Sequence, residues 1–195
     1  MFMGQVYTSL MNIAIWGLGV SGLSALKFLK TLDHNIYAIN QGSPKNWKQI
    51  DEVKNHISLD RCFDQSQIPS DLKLDRIILS PGIDPRISEL KPFEKTEKFC
   101  EVELAYQHWN KDIPIIAVTG TNGKTTTTNL IHHILTNAKM DVGMAGNVGD
   151  SLARQVAEQD RDYFVIELSS FQLDGMKEFA LDIGVLLNIT PDHLD

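Results

Sequence analysis

Apolar positions along the chain fall into two units of the same design: a short apolar run, a glycine loop, then apolar residues at helical spacing. In the first unit Asn12–Trp16 reads as a strand, and Gly17-Leu18-Gly19-Val20-Ser21-Gly22 follows it. Leu23, Leu26 and Leu29 then share one helix face, and 35–39 forms a second strand. In the second unit 113–118 is a continuous apolar run of the kind buried in a parallel sheet. Leu130, Ile131, Ile134 and Leu135 predict a helix over 125–138 behind its loop. Between the units, charge spacing predicts a solvated helix over 45–57 and a short strand at 76–79, while 89–98 reads as connecting chain and 101–109 as a helix. Beyond the second helix come strands at 142–145, 162–167 and 183–188, with a helix over 150–158. A glycine loop after the first strand of each βαβ pattern predicts an α/β chain of two parts. Residues 11–96 are expected to form a Rossmann-like domain and 97–112 a connector. Residues 113–195 are expected to be the N-terminal part of a P-loop domain, and 1–10 a flexible extension.

The second loop carries the sharper chemistry. Gly120-Thr121-Asn122-Gly123-Lys124-Thr125-Thr126 lies between strand and helix. Glycines there let backbone N–H groups turn onto phosphate oxygens, the helix N-terminus adds positive potential, and a lysine reaches the terminal phosphates. A hydroxyl directly after the lysine, Thr125, is placed to ligate Mg²⁺. The common phosphate-loop pattern has glycine five residues before the Gly-Lys pair, where this chain has Val118. A plain Gly-Asn turn before an amphipathic helix would leave the Gly-Lys-Thr-Thr run without a reason. Glu167 ends a strand expected to neighbour that of the loop, the usual place for an acid beside the metal. His193 follows a strand end on the same edge, unlike His34, His56, His108, His132 and His133, which read as structural or surface residues.

The first loop matches the dinucleotide pattern in its proper strand-helix context. It lacks the acid that usually ends the second strand and holds ribose hydroxyls. Asn40 stands there, followed by Gln41. The loop therefore suits a phosphate or diphosphate better than NAD. Ser80-Pro81-Gly82 ends another strand and is expected beside it, although Pro-Gly would serve a plain turn equally well.

Composition bounds the rest. The chain has 195 residues and a net charge of −7, which argues against nucleic-acid binding. Its two cysteines have no metal-type spacing, as expected of free thiols in a reducing compartment. The uncharged opening lacks the basic flank of a signal peptide, and its glycines and polar residues argue against membrane insertion, so a cytoplasmic location is expected.

Taken together, these stretches resemble the Mur ligase family, and within it the branch that adds D-glutamate. Residues 119–126 resemble the ATP loop of the whole family, Val118 included. Gly17, Gly19, Val20, Ser21 and Gly22, with Ser80, Pro81 and Gly82, resemble its uridine-diphosphate loops. Gly146-Asn147-Val148-Gly149, the run Glu167-Leu168-Ser169-Ser170-Phe171-Gln172-Leu173 and Asn188 through Asp195 resemble its central domain. The resemblance implies an ATP-dependent ligase of peptidoglycan synthesis that works through an acyl phosphate, monomeric at full length. Its partners would be UDP-N-acetylmuramoyl-L-alanine and D-glutamate, with ATP and Mg²⁺ as cofactors. Lys124 and His193 would be catalytic, residues 120–126 would bind ATP, and Thr125, Glu167 and His193 would hold metal. Asn40 and Gln41 would face the uridine, and Asn147, Ser169 and Gln172 the muramoyl peptide. The chain alone, without the family's later carbamylated lysine and C-terminal domain, is expected to be inactive. Other readings are a different Mur-type or folylpolyglutamate-type ligase, a non-catalytic nucleotide-binding fragment, or an NAD-dependent oxidoreductase.

Overall fold

A computed structural model of the chain describes residues 10–109, 112–147, 149–156 and 161–191. Two separate parallel sheets form, as the paired βαβ patterns predict. The first joins β1 (Asn12–Trp16), β2 (Asn35–Asn40), β3 (Cys62–Asp64), β4 (Arg76–Leu79) and β5 (Glu97–Phe99) in the order β3-β2-β1-β4-β5. The order reverses beside β1, which is where an open sheet of this kind forms its ligand crevice. Strand periodicity is visible in the burial. Ile13 and Ile15 face α1 (Val20–Leu29), while Ala14 and Trp16 join Ile77, Leu90 and Phe93 on the other face.

Three sequence expectations shift here. The connecting chain at 89–98 contains a 3-10 turn, Ser88–Phe93, and part of β5. The three-residue β3 was not foreseen. The predicted solvated helix over 45–57 shrinks to a 3-10 turn, Pro44–Asn46, and α2 (Ile50–Lys54). Trp47, Ile50, Val53 and Ile57 turn inward, so that stretch is half core rather than all surface.

The second sheet has the order β7-β8-β6-β9, from β6 (Ile115–Thr119), β7 (Val142–Gly146), β8 (Tyr163–Glu167) and β9 (Ile183–Leu186). One face packs on α4 (Lys124–Asn137) through Ile131 and Leu135. The other packs on α3 (Glu101–Gln107) and α5 (Leu152–Gln155), where Val102, Ala105 and Trp109 meet Ile115, Ala117 and Phe164. Leu104 of α3 belongs instead to the core of the first unit, so this one helix is a wall shared by both. The foreseen helix over 150–158 is observed at Leu152–Gln155, and 157–160 lie outside the described residues. The extension expected at 1–10 lies outside them too, save Leu10. Among the described residues no helix is long and apolar enough to cross a membrane.

Two buried carboxylates of α3 fasten it to the second unit. Glu103, fully buried, accepts from the backbone N–H groups of Lys177, Glu178 and Phe179 at 2.9, 3.1 and 3.1 Å. Glu101, also buried, accepts from the N–H of Ala153 and from the Ser151 hydroxyl. Burial pushes the Glu101 carboxyl up to about 7, and Asp150 adds to the rise. A carboxyl raised on folding contributes stability that is complete below its ordinary value of 4.5 and is lost as pH climbs through about 7. The loss is on the order of 3 kcal/mol. Glu101→Gln is therefore expected to flatten the decline in thermal midpoint between pH 5 and pH 8. An unchanged slope would remove Glu101 as its source.

Candidate active site

The carboxyl edges of both sheets carry the residues singled out in the sequence. At the first edge, Gly17 turns at φ 92°, its N–H donates to Ile39 O at 2.9 Å, and its carbonyl accepts the Ser80 hydroxyl at 2.7 Å. A Cβ at Gly22 would lie 2.0 Å from Gly17 O, so only glycine lets α1 start this close to the loop. Ser80-Pro81-Gly82 thus sits against the glycine loop as expected. Gly19 and Val20 are exposed at the N-terminus of α1 and Ser21 is half-buried, so N–H donors face the crevice. Asn40 ends β2 with Gln41 exposed beyond it.

At the second edge β6 runs into the loop and α4. Val118 is wholly buried and pairs with Glu167 and Val185, so the departure from the common phosphate-loop pattern is a strand core position. Gly123 caps α4 at φ 87°, a left-handed turn that aims the following N–H groups outward. Asn122, Gly123, Thr125 and Thr126 are exposed around it. The Lys124 ammonium arches back over the loop to donate to Gly120 O at 2.7 Å and Thr121 O at 2.9 Å. Thr125 Oγ1 donates to Glu167 Oε2 at 2.8 Å, and Asn147 Nδ2 donates to Glu167 Oε1 at 3.0 Å. Glu167 is 1 % exposed, held rigidly beneath the loop.

The sequence pairing of Thr125 with Glu167 is thus realised as direct contact, because β8 lies next to β6. Asn147, assigned to the muramoyl peptide, meets the same acid. An oxygen from Thr125 and a carboxylate from Glu167 form a hard donor pair that suits Mg²⁺, which takes one or two carboxylates with substrate phosphates. Among the described residues no cluster of three or more His, Cys, Asp or Glu side chains is placed to hold a metal. His193 lies outside the described residues.

Ser169 and Gln172 are found bonded to each other. The Ser169 hydroxyl and N–H donate to Gln172 Oε1 at 3.0 and 2.9 Å, and Ser169 Oγ accepts from Gln172 N–H, a capping box on α6 (Ser170–Asp174). Gln172 is 3 % exposed. Both residues fix the start of α6 next to Glu167.

One feature escaped the sequence reading. The segment after β9 splints the phosphate loop. Asn188 Oδ1 accepts from Asn122 N–H at 2.9 Å, and Asn188 Nδ2 donates to Asn122 O at 3.0 Å. Asn188 O accepts from Thr121 N–H, while Thr121 Oγ1 and the Thr190 backbone bond in both directions. Asn122 N–H is therefore engaged by the protein. Asn188→Ala is expected to weaken ATP binding about tenfold, the worth of a lost pair of hydrogen bonds, and to leave binding at the first edge unchanged. Nucleotide titration checks this, and an unaltered ATP affinity would contradict it.

Comparison with known proteins follows the same division. The family described as Mur ligase MurD-like, N-terminal domain, matches residues 11–99, and the Mur ligase middle domain matches residues 118–195. A UDP-N-acetylmuramoylalanine--D-glutamate ligase of Bacteroides thetaiotaomicron is 42% identical over 187 residues, covering 94% of this chain and 41% of the relative. Its namesake in Thermoanaerobacter sp. is 40% identical over 188 residues, with the same coverages. The chain thus spans about 41% of the length of these curated relatives. Among solved structures, a UDP-N-acetylmuramate:L-alanyl-gamma-D-glutamyl-meso-diaminopimelate ligase from Neisseria meningitides aligns at a TM-score of 0.56. It is 17% identical, with 96% of this chain and 63% of that one covered, a likeness of fold.

Proposed function

The chain belongs to the Mur ligase family, and on that premise we propose that it carries the uridine and ATP sites of a cytoplasmic enzyme that joins D-glutamate to UDP-N-acetylmuramoyl-L-alanine. The observation that carries the reading is the pairing of two phosphate-type loops, one at each sheet's carboxyl edge, with Thr125 and Glu167 in contact beneath the second. Relatives at about 40% identity that bear the D-glutamate ligase name support the choice of substrates.

In this reading the Gly17–Gly22 loop and Ser80-Pro81-Gly82 hold the diphosphate of the uridine substrate with N–H donors. Residues 120–126 hold ATP, and Lys124 leaves its two carbonyl partners to meet the transferring phosphoryl group. Thr125 and Glu167 would hold one Mg²⁺ and His193 would serve a second metal site, and such ions when bound neutralise charge on the phosphate oxygens. The substrate's L-alanyl carboxylate attacks the γ-phosphate and ADP leaves. The amine of D-glutamate then attacks the acyl phosphate, phosphate leaves, and the amine's proton is lost to solvent or a base. Asn147 keeps Glu167 oriented toward Thr125. Asn147, Ser169 and Gln172 would contact the muramoyl peptide, with the capping box of Ser169 and Gln172 fixing the chain after β8.

The test is calorimetric titration of the full-length protein with UDP-N-acetylmuramoyl-L-alanine, UDP, ATP and NAD. Uridine compounds and ATP are expected to bind at separate, additive sites, and NAD weakly. NAD binding more tightly than the uridine compounds would return the first unit to a dehydrogenase reading.

A further inference from the structure

The acid that position 40 lacks stands one strand away. Asn40 closes β2 and pairs in register with Asp64, the last residue of β3. Both lie at the carboxyl edge of the first sheet, and the glycine loop abuts that edge through Gly17 N–H on Ile39 O. Neighbouring strands run about 4.8 Å apart, so a carboxylate on β3 reaches the space beside the end of β2.

The surroundings of Asp64 fix it there. Its Oδ1 accepts from the Ser66 N–H at 3.1 Å and the Ser66 hydroxyl at 3.0 Å, and the carboxylate also accepts from the Gly42 N–H. Gly42 O in turn accepts from Trp47 Nε1 at 2.8 Å, so the 40–42 loop is held from both sides. Among the described residues Asp64 forms no salt bridge. A carboxylate offers about four acceptor positions, and three are used, which leaves one for a ligand. The Ser66 N–H, outweighing the cost of burial, holds the carboxyl below the usual range, so it is ionised at neutral pH.

We propose that Asp64 is the acid of the nucleoside pocket, accepting a hydrogen bond from the uridine of the bound substrate in place of an acid at the end of β2. The proposal rests on reading the first unit as a uridine diphosphate site. It makes Asp64 a specificity-determining residue that touches substrate, and not only the anchor of a turn at Ser66.

Titrations of the full-length protein with UDP, 2′-deoxy-UDP and 3-methyl-UDP test it, since each analogue removes one donor of the nucleoside. The protein is expected to bind one of the two analogues about tenfold more weakly than UDP, the loss of one charge-assisted hydrogen bond. Asp64→Asn is expected to bind UDP about tenfold more weakly, to lose discrimination against that analogue, and to keep its ATP affinity and thermal midpoint. Asn40→Asp with Asp64→Asn, which returns the acid to β2, is expected to restore discrimination. Equal binding of all three ligands by the unmodified protein would overturn the proposal. So would an Asp64→Asn protein that still discriminates, or one that weakens equally for all three. Failure of the unmodified protein to bind UDP at all would overturn the uridine reading itself.

Discussion

Lys124→Ala in the full-length protein is expected to lower kcat of the proposed ligation by about 10³-fold or more while leaving the fold intact, as the loss of a cation positioned on a transferring phosphoryl group does. Among the described residues the ammonium poised over the loop is tethered to Gly120 O and Thr121 O. Both partners are backbone carbonyls at a half-buried loop that water can reach, so the substitution strands no buried charge. Steady-state turnover beside a thermal melt reads both quantities. Turnover within tenfold of the unmodified enzyme would take Lys124 out of phosphoryl transfer.

Glu103→Ala should do the opposite, costing stability with little direct bearing on chemistry. It deprives three successive N–H groups, those of residues 177–179, of their acceptor, and it removes the acceptor of the Gln107 Nε2 bond at 3.3 Å. At about 1–3 kcal/mol for each stranded donor, the loss is about 3–5 kcal/mol once water reaches some of them. That is a large part of the 5–15 kcal/mol that typically holds a domain. Urea unfolding measures it, with Glu103→Gln, which keeps one acceptor oxygen, falling between. A loss below about 1 kcal/mol for Glu103→Ala would mean that α3 is held by its apolar face alone.

What could be read in the sequence was what depends on neighbours in the chain. Asn12–Trp16 and the run ending at Val118 show strand character because four or five consecutive apolar residues are needed to fill a sheet buried on both faces. The contact of Thr125 with Glu167 was legible because an acid ending an apolar strand, paired with a loop hydroxyl, has few other uses. β3 and β5 were not legible, since each is three residues long and contains charge, and each gains strand form only from its partner. The stretch 45–57 has the charge spacing of a helix, yet Trp47 packs inward and breaks the spacing that solvent would allow. Asn188 lies 66 residues from Asn122, and no local pattern announces that pair. Ser169 and Gln172, expected from the family resemblance to meet substrate, also carry a local signal, Ser-x-x-Gln before a helix.

If two nucleotide-type loops serve one ligation, phosphate release depends on the ligands of both. Full-length protein is supplied with Mg-ATP and UDP-N-acetylmuramoyl-L-alanine, with and without D-glutamate, and with L-alanine or meso-diaminopimelate in its place. Sustained phosphate release is expected only when the uridine substrate and D-glutamate are both present. Release that ignores the uridine substrate, or that follows another amino acid as well as it follows D-glutamate, would contradict the account.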